Sequence, residues 1–367
     1  MKVTNSSIIY ENPLPQLASK HSFFPFLCEL KDGTIAAAIT IGQAFESVDS
    51  SSFVSFSKDR GRTWSEPLRM FDGCADTDYC KITALPDGRL IAFGYAYIRD
   101  NPNLPIGNPE TGGLLEDYVF FSISEDGGKH WQEMKKINCA WGPHIEASAP
   151  ITVLKDGTWI TPITGFPDWK GNSHGKLCGR ALRSENGGKT WDDSSVCMDF
   201  GDDATTCYEQ RMCQLESGAI ICIGWNENTK TGERYENHYT VSFDNGKTWS
   251  APKTTGILGQ ASSVCAIGGE KLLALHAVRR DTDRPGIYAC IVDFSEGEWN
   301  IIEQEIIWEP DFKITKDTNM AEIFSFLKFG QPGAILLSDG NIMMSHWFAK
   351  EGQYKTVATT ISTESRF

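Results

Sequence analysis

Several features that mark other protein classes are absent from this sequence of 367 residues. No stretch approaches the roughly 20 consecutive apolar residues of a membrane-spanning helix, and the N-terminal residues lack the basic start and apolar run of a secretory signal. Positive charge is scarce, since 34 Lys and Arg stand against 48 Asp and Glu, a net charge of −14 at pH 7. Because phosphate binding needs clustered positive charge, neither nucleic acid nor an anionic membrane is expected as a main partner.

Signatures of metal, nucleotide or nucleophilic-serine chemistry are also missing. The sequence has no P-loop, no His-Glu-x-x-His, no Gly-x-Ser-x-Gly and no Cys/His spacing typical of metal ligands. The 11 cysteines include no Cys-x-x-Cys pair, which favours reduced thiols and a cytoplasmic location. We therefore expect catalysis to need no zinc and no other cofactor, and leave open the binding of Ca²⁺ by an acidic loop.

An internal repeat is the strongest feature that is present. The pattern Ser-x-Asp/Asn-x-Gly-x-Thr/His-Trp, which we call the Asp-box, begins at Ser57, Ser124, Ser184 and Ser242. A degenerate fifth copy ends at Trp299. The glycine permits a tight turn, and the Ser and Asp/Asn side chains can bond nearby backbone amides. These aspartates are therefore predicted to be structural rather than catalytic.

A second repeat of two-residue turns lies between short apolar runs. Such turns are the strongest local signal for β-hairpins, and they occur at 32–33, 87–88, 156–157, 217–218, 268–269 and 339–340. Six hairpins at even spacing predict an all-β, six-bladed β-propeller of four-stranded antiparallel blades. We expect one domain over residues 1–367, closed by an N-terminal strand in the last blade, with an insertion at 309–325.

Topology then predicts which segments form a pocket. In a four-stranded meander the hairpin turns and the Asp-boxes share one end of the blade. The opposite end carries the loops between strands 2 and 3, predicted at 41–52, 97–117, 165–176, 225–238, 278–286 and 346–353. It also carries the starts of the inner strands, near 21–24, 76–79, 142–148, 207–211, 259–263 and 329–332.

These segments supply polar and aromatic side chains from every blade. The candidates for catalysis are Glu209, Asp49 and Glu46. The candidates for substrate binding are Asp76, Asp78, Tyr79, His144, Glu146, Tyr208, Arg211, Trp225, Asn226, His276, Arg279, Arg280, Gln331 and Trp347. So many carboxylates, guanidiniums and aromatic rings around one axis favour a binding or catalytic site over a purely structural role.

The Asp-boxes and the turns between them resemble the sialidase superfamily, also called BNR or Asp-box proteins, over nearly the whole chain. The resemblance implies a pocket at one end of the propeller axis. In YEQRMCQLESG, Glu209 resembles the glutamate that partners the nucleophilic tyrosine of sialidases. Glu46 or Asp49 resembles the acid/base aspartate, and Asp76 and Asp78 resemble the blade 2 aspartate that contacts the sugar. Arg279 or Arg280 falls where one arginine of the carboxylate-binding triad is expected.

The sequence also departs from that family. Phe23-Phe24-Pro25 replaces the Arg-Ile-Pro segment of blade 1, and Trp225-Asn226 stands where a second triad arginine is expected. Gln331 occupies the neighbourhood of the nucleophilic tyrosine. Losing two charge-assisted hydrogen bonds costs about 3–6 kcal/mol, which argues against strict sialidase activity.

The sequence therefore predicts an exo-acting glycoside hydrolase that uses two carboxylates on a carbohydrate substrate. Glu209, expected to be ionised, is the base or the support for a nucleophile, and Asp49 is slightly favoured over Glu46 as the acid. One alternative is a lyase on a uronate-containing sugar, with a His or Tyr base and with Arg279 or Arg280 holding the carboxylate. The other is a non-catalytic propeller that binds glycan or protein. The oligomeric state stays open.

Overall fold

The computed structural model describes residues 1–173, 175–311 and 328–363. Within these residues the strands form six antiparallel sheets arranged in a ring. The six-bladed propeller predicted from the repeats is therefore confirmed. No helix in the described part of the chain is long and apolar enough to cross a membrane. The predicted insertion at 309–325 lies outside the described residues, apart from its first three positions.

Each blade runs outward from an inner strand at the axis. The chain opens with β1 (Lys2–Tyr10), which belongs to blade 6. Blade 1 contains β2 (His21–Glu29), β3 (Ile35–Gly42), β4 (Ser51–Ser57) and β5 (Leu68–Arg69). Blade 2 contains β6 (Thr77–Ala84), β7 (Leu90–Tyr97), β8 (Asp117–Ser124) and β9 (Lys135–Ile137). Blade 3 contains β10 (Ile145–Glu146), β11 (Thr152–Val153), β12 (Trp159–Gly165), β13 (Gly179–Ser184) and β14 (Asp192–Met198).

The remaining three blades follow the same plan. Blade 4 contains β15 (Tyr208–Gln214), β16 (Ile220–Trp225), β17 (His238–Ser242) and β18 (Lys253–Thr254). Blade 5 contains β19 (Ser262–Gly268), β20 (Lys271–Val278), β21 (Gly286–Asp293) and β22 (Asn300–Trp308). Blade 6 contains β23 (Phe329–Leu336), β24 (Ile342–Lys350) and β25 (Gln353–Ser362), with β1 as its outermost strand.

The ring is closed by pairing between the two ends of the chain. Strand β1 runs antiparallel to β25, with Ile8 opposite Val357 and Lys2 opposite Ser362. The expected closing role of the N-terminal strand is confirmed. Blade 6 is thus built from both ends of the chain, which links blade 1 to blade 6.

Apolar side chains between adjacent blades form the core. Every residue of β3 is buried, because blade 2 covers one face of the sheet and blade 6 covers the other. On the outer strand β14 the pattern alternates, with Asp192, Ser194 and Val196 exposed, since one face meets solvent. Comparable apolar clusters fill the other blade interfaces, so each blade is stabilised by its neighbours.

The Asp-boxes join the third and fourth strands of four blades, as predicted. In the fourth box the backbone N–H groups of Lys247 and Thr248 donate to Asp244 Oδ1 at 3.0 and 2.9 Å. Ser242 Oγ accepts from the Gly246 N–H at 2.9 Å, and Gly246 has a φ of 78° that favours glycine. Donors within the turn thus occupy the aspartate, in agreement with a structural role.

Two local features differ from the predicted plan. The inner strand of blade 3 is split into β10 and β11, which pair separately with β12. The predicted loop 346–353 is instead a two-residue turn, because β24 continues to Lys350 and β25 begins at Gln353. Apolar side chains at 342–349 carry this strand almost to the end of the blade.

Candidate active site

Three inner strands are interrupted by β-bulges near their first residues. The pairing register shifts between Phe23 and Phe26 on β2, between Tyr208 and Arg211 on β15, and between Gly330 and Gly333 on β23. The bulges contain Phe24, Glu209 and Gln331, with φ angles of 51°, 46° and 43°. Such angles are uncommon for residues other than glycine, and bulges that redirect side chains are frequent beside active sites.

A chain of hydrogen bonds links these bulges across the axis. Gln331 Nε2 donates to Glu209 Oε1 at 2.5 Å. Lys81 Nζ donates to Gln331 Oε1 at 3.2 Å and to the carbonyl oxygen of Phe24 at 2.6 Å. Because an ammonium group can only donate, Lys81 fixes the Gln331 amide with its nitrogen toward Glu209.

Blade 3 contributes a second carboxylate to this network. The backbone N–H of Glu209 donates to Glu146 Oε2 at 2.9 Å, and the Ser148 hydroxyl donates to the other oxygen of Glu146. Arg211 Nη1 donates to Ser148 Oγ at 3.1 Å and to the Gln210 carbonyl at 2.7 Å. Glu209 Oε2 is buried and receives no hydrogen bond from any described residue, so its capacity to accept one is unused in this structure.

Glu46 and Arg279 complete the site from the loops after β3 and β20. The negative charge of Glu209 acts on both side chains. All six blades therefore contribute to what we call the axial cluster, which comprises Glu46, Lys81, Glu146, Glu209, Arg279 and Gln331.

Burial shifts the pKa of several groups in the axial cluster. It raises the pKa of Glu46 to about 7, a shift that Arg99 opposes and the charge of Glu209 increases. Burial and the charge of Glu209 also raise the pKa of Glu146. Burial and the neighbouring Arg211 lower the pKa of Lys81 to about 7. A carboxylic acid that keeps its proton near neutral pH is suited to donate it to a leaving group.

The two candidate acids of blade 1 have different surroundings. Asp49 is exposed, and its Oδ1 accepts from the Gln43 N–H at 3.1 Å and from Ser47 Oγ at 2.6 Å. These hydrogen bonds hold the loop in place. Asp49 and Tyr10 also line a groove of about 550 Å³. Glu46 is half-buried instead, and the charge of Glu209 contributes to raising its pKa.

The blade 2 candidates lie beside the axial cluster in different roles. Asp76 is half-buried and accepts from the Arg99 N–H and the Tyr118 hydroxyl, both at 3.1 Å. Asp78 is buried against blade 1, where its Oδ1 accepts from the Ser52 N–H at 2.9 Å and burial raises its pKa to about 6. Tyr79 packs 5.6 Å from Phe24 between ring centroids, so it borders the axis.

His144 is held at the entrance of blade 3. Its backbone N–H donates to Asp117 Oδ1 at 3.0 Å, and its Nδ1 lies 3.1 Å from the Leu115 carbonyl oxygen. The residue is only 8% exposed and has a φ of 69°. It borders a narrow cleft with Trp141 and Phe166, two residues before Glu146 in the sequence.

Blades 4 and 5 form a rim around one aromatic ring. The guanidinium carbons of Arg279 and Arg280 lie 5.5 and 5.8 Å from the centroid of Trp225. Tyr208 packs 5.9 Å from the same ring, and Arg280 forms an ion pair with Glu227 at 3.8 Å. Trp225 and Tyr208 are both half-buried, so this rim can contact a ligand.

Three predicted binding residues are fully or almost fully buried. Asn226 is fully buried, donates to the Thr206 carbonyl at 2.7 Å and accepts from the His238 N–H at 3.0 Å. His276 is fully buried beside Asn237, and burial lowers its pKa to about 3. Trp347 is 1% exposed because β24 extends through it. In this structure these side chains pack against neighbouring residues of the fold.

Lys81, Phe24 and Phe45 were missed as site residues from the sequence. Lys81 interrupts the apolar inner strand β6, and an unpaired lysine in a buried strand is a signal that could have been used. Phe24 and Phe45 look like core residues in sequence, because aromatic side chains are equally common in both settings. Only the bulge in β2 and the fold of the loop after β3 bring them to the axis.

Metal ligation has little support in this part of the molecule. Among residues 1–173, 175–311 and 328–363, no group of three or more His, Cys, Asp and Glu side chains could hold a metal ion. The described cysteines are free thiols, and most are buried. Burial raises the pKa of Cys28 and Cys80 to about 12, so these thiols are poor metal ligands.

Comparison with known proteins supports the architecture. A protein of unknown function from Dyadobacter fermentans has a TM-score of 0.76 and 18% identity, and the alignment covers 98% of both chains. NanB sialidase from Streptococcus pneumoniae has a TM-score of 0.66 and 14% identity, and the alignment covers 98% of this chain and 70% of that one. An intramolecular trans-sialidase from Ruminococcus gnavus has a TM-score of 0.60 and 12% identity, and the alignment covers 96% of both chains. At these identities the likeness shows the fold alone.

The comparison of sequences is more specific. No curated protein sequence matches the chain. Residues 104–300, more than half of the chain, match the BNR repeat-like domain. This segment includes three of the four Asp-boxes, so the match and the turns described above report the same repeat. The chain therefore belongs to the BNR repeat-like family.

Proposed function

We propose that the protein is an exo-acting glycoside hydrolase, with Glu46 as proton donor and Glu209 as base. The observation that carries the proposal is the axial cluster, in which all six blades bring polar groups to one point. Charged groups are seldom buried unless they are paired or functional. Here Glu209 keeps one buried oxygen without a described donor, which is a feature of a site that awaits a ligand.

The proposed reaction uses the two carboxyl groups in opposite protonation states. Glu46 transfers its proton to the glycosidic oxygen as the bond between that oxygen and the anomeric carbon breaks. Water attacks the anomeric carbon and gives its proton to Glu209. The products are two hydroxyl-bearing sugars, and both carboxyl groups return to their starting states after proton exchange with solvent.

Water is proposed as the direct nucleophile because of the partner of Glu209. That partner is Gln331, and a primary amide is a poor nucleophile. Tyr79 borders the cluster, but burial and the charge of Glu46 raise its pKa well above the usual value, which disfavours the tyrosinate. Direct attack by water predicts inversion at the anomeric carbon.

The hydrogen bonds at the axis support the exo mode. Hydrogen bonds from Lys81 to Phe24 and Gln331 bridge three blades at the axis. A glycan chain entering from the loop end can therefore insert its terminal residue and cannot thread through the propeller. The rim formed by Trp225, Tyr208 and Arg280 is the proposed site for the leaving sugar.

A lyase on a uronate-containing sugar is the second candidate. Its specific support is the pair of guanidiniums against Trp225, which could hold a carboxylate. Proton NMR of reactions with a panel of oligosaccharides and aryl glycosides separates the two. Hydrolysis gives a new reducing sugar whose first anomer reports inversion or retention, whereas elimination gives a vinylic proton. Binding without turnover by wild-type protein would contradict both enzymatic candidates and favour a glycan-binding propeller.

A further inference from the structure

Aromatic rings line the side of the axial cluster formed by blades 1 and 6. Phe24 and Phe45 are half-buried, and their ring centroids lie 5.4 Å apart in an edge-to-face arrangement. Trp347 is buried beneath them, at 6.2 Å from Phe24 and 5.6 Å from Phe45. Tyr354 is half-buried and packs 6.1 Å from Phe45. The exposed parts of Phe24 and Phe45 are thus supported from below by rigid packing.

The conformation of Phe24 is unusual for a packing residue. A φ of 51° is a genuine outlier for a bulky side chain and persists only when the surroundings enforce it. Lys81 supplies part of that enforcement, since its Nζ binds the Phe24 carbonyl at 2.6 Å and lies 5.7 Å from the ring centroid. The bulge therefore holds an aromatic ring at the axis.

Phe45 lies next to the proposed acid in the sequence. It directly precedes Glu46, whose carboxyl group senses the charge of Glu209. Because the two rings are inclined at 70°, one can stack on the apolar face of a sugar while the other contacts the edge of that sugar. Stacking of this kind removes apolar surface from water without requiring charge on the ligand.

The cations near the axis are already engaged by the protein. Arg279 is 8% exposed, and its Nη1 donates to the Phe329 carbonyl at 3.3 Å. Arg211 is 4% exposed and binds Ser148 and Gln210. Lys81 bonds to Phe24 and Gln331, and Arg280 pairs with Glu227. A substrate carboxylate would have to displace one of these contacts and would lie near the Glu146 and Glu209 side chains.

We infer that Phe24 and Phe45 form a stacking platform that selects an uncharged sugar, a neutral hexose or deoxyhexose, as the residue bound at the axis. This inference rests on the proposed function for the identity of the reaction. It adds the substrate class, and it separates this chain from enzymes that recognise an acidic sugar by its carboxylate.

The first test compares 4-nitrophenyl glycosides of neutral hexoses and deoxyhexoses, in both anomers, with the glucuronide, galacturonide and sialoside. The expected result is the highest kcat/KM on a neutral glycoside. Phe24→Leu and Phe45→Leu should each raise KM on that glycoside by about tenfold, the equivalent of about 1.4 kcal/mol of stacking. A higher kcat/KM on an acidic glycoside would overturn the inference while leaving the hydrolase proposal in place.

The second test does not depend on turnover. Saturation-transfer NMR measures binding of neutral methyl glycosides and of methyl glucuronide to wild-type protein and to both variants. Neutral binding that is lost in Phe24→Leu supports the platform even when no glycoside is cleaved, which would contradict the hydrolase proposal alone. Preferential binding of the glucuronide, or no detectable binding of neutral sugars, overturns the platform.

Phe56→Leu is the matched control. Phe56 is also a half-buried phenylalanine of blade 1, but it lies on β4 beside the Asp-box. It should leave KM and sugar binding unchanged. Melting temperatures of the three variants show whether any loss reflects unfolding, and an equal loss in Phe56→Leu would overturn the assignment to Phe24 and Phe45.

Discussion

The two ends of the propeller place carboxylates in opposite environments. At the Asp-box end, Asp126 and Asp244 are exposed, and several donors in their own turns bind each one. Those hydrogen bonds outweigh the opposing effect of partial burial and lower the pKa of both groups to about 2. Such carboxylates stay ionised at all physiological pH values and cannot donate a proton.

At the axial end, burial dominates. Burial raises the pKa of Glu46 to about 7 and that of Asp117 to about 8, even though two backbone N–H groups bind Asp117. The Asp-box aspartates are therefore the most conspicuous in the sequence but the least suited to catalysis, because hydrogen bonds from their own turns keep them ionised. Proton-transfer capacity lies with the carboxylates that have few donors and little water.

The largest expected effect is the loss of turnover when Glu209, at the axial end, is replaced. Replacing Glu209 with Gln removes the base and keeps the size of the side chain, so turnover should fall by about 10²–10⁴-fold. Asp126→Asn at the opposite end is the matched change from acid to amide and should leave turnover intact. The measurement is kcat on the best glycoside from the panel, with melting temperature as the folding control. Near-normal turnover in Glu209→Gln would exclude it as the base.

The next effect concerns Glu46 and the pH profile. A proton donor works only while it holds its proton, so turnover should decline as the pH rises through about 7, following the raised pKa of Glu46. Glu46→Gln should lower kcat by about 10²-fold on an unactivated glycoside. The loss should be smaller on a 4-nitrophenyl glycoside, whose leaving group needs little protonation. Asp49→Asn should have neither effect, and a severe loss in Asp49→Asn alone would restore the preference drawn from the sequence.

A smaller effect is expected from Lys81, whose own pKa is lowered to about 7. Lys81→Met removes the donor that orients Gln331 and should lower kcat by about tenfold, the effect of losing roughly one charge-assisted hydrogen bond. KM should rise less than in Phe24→Leu, because Lys81 supplies only part of the packing that holds Phe24. If the decline above neutral pH persists in Lys81→Met, Glu46 causes it. If it disappears, the titration of Lys81 is the cause and the assignment of Glu46 fails.

The architecture could be read from the sequence because its signals are local. Each turn needs glycine or aspartate at fixed positions, and each Asp-box folds on its own side chains, as Ser57 and Asp59 do at 2.8 Å. Repetition then gives the number of blades without knowledge of any long-range contact. The split inner strand of blade 3 and the extension of β24 to Lys350 were missed, because single turns do not determine where a strand ends.

The candidate site was predicted only in part, because some of its geometry depends on backbone features that have no sequence signal. Strand order placed Glu209, Glu146, Arg279 and Gln331 at the same end of the propeller, since that depends on topology alone. It could not distinguish Glu46 from Asp49, which are three residues apart in one loop where Glu46 has a φ of 55°. Bulges and positive φ angles at residues other than glycine leave no reliable sequence signal.

The smallest expected effect tests the Asp-box end itself. Asp244→Ala removes an acceptor for the Lys247 and Thr248 N–H groups and should lower the free energy of unfolding by about 1 kcal/mol, since the turn is exposed and water partly replaces the lost bonds. Turnover should not change. Asp244→Asn should be nearly neutral, because the third box already uses Asn186, whose Oδ1 accepts from the Thr190 N–H at 2.9 Å.

The contribution of Asp244 to folding stability should depend on pH. The pKa of Asp244 is lowered in the folded protein to about 2, below the value of about 3.9 expected in the unfolded chain. Its ionisation therefore stabilises the fold fully above pH 4 or so and is lost as the pH falls toward 2. In chemical denaturation from pH 7 to pH 3, wild-type protein should lose more stability than Asp244→Asn, which has no carboxylate to protonate. Equal losses in both would mean that the turn draws no stability from the charge, and a fall in turnover in either variant would contradict the separation of the two ends.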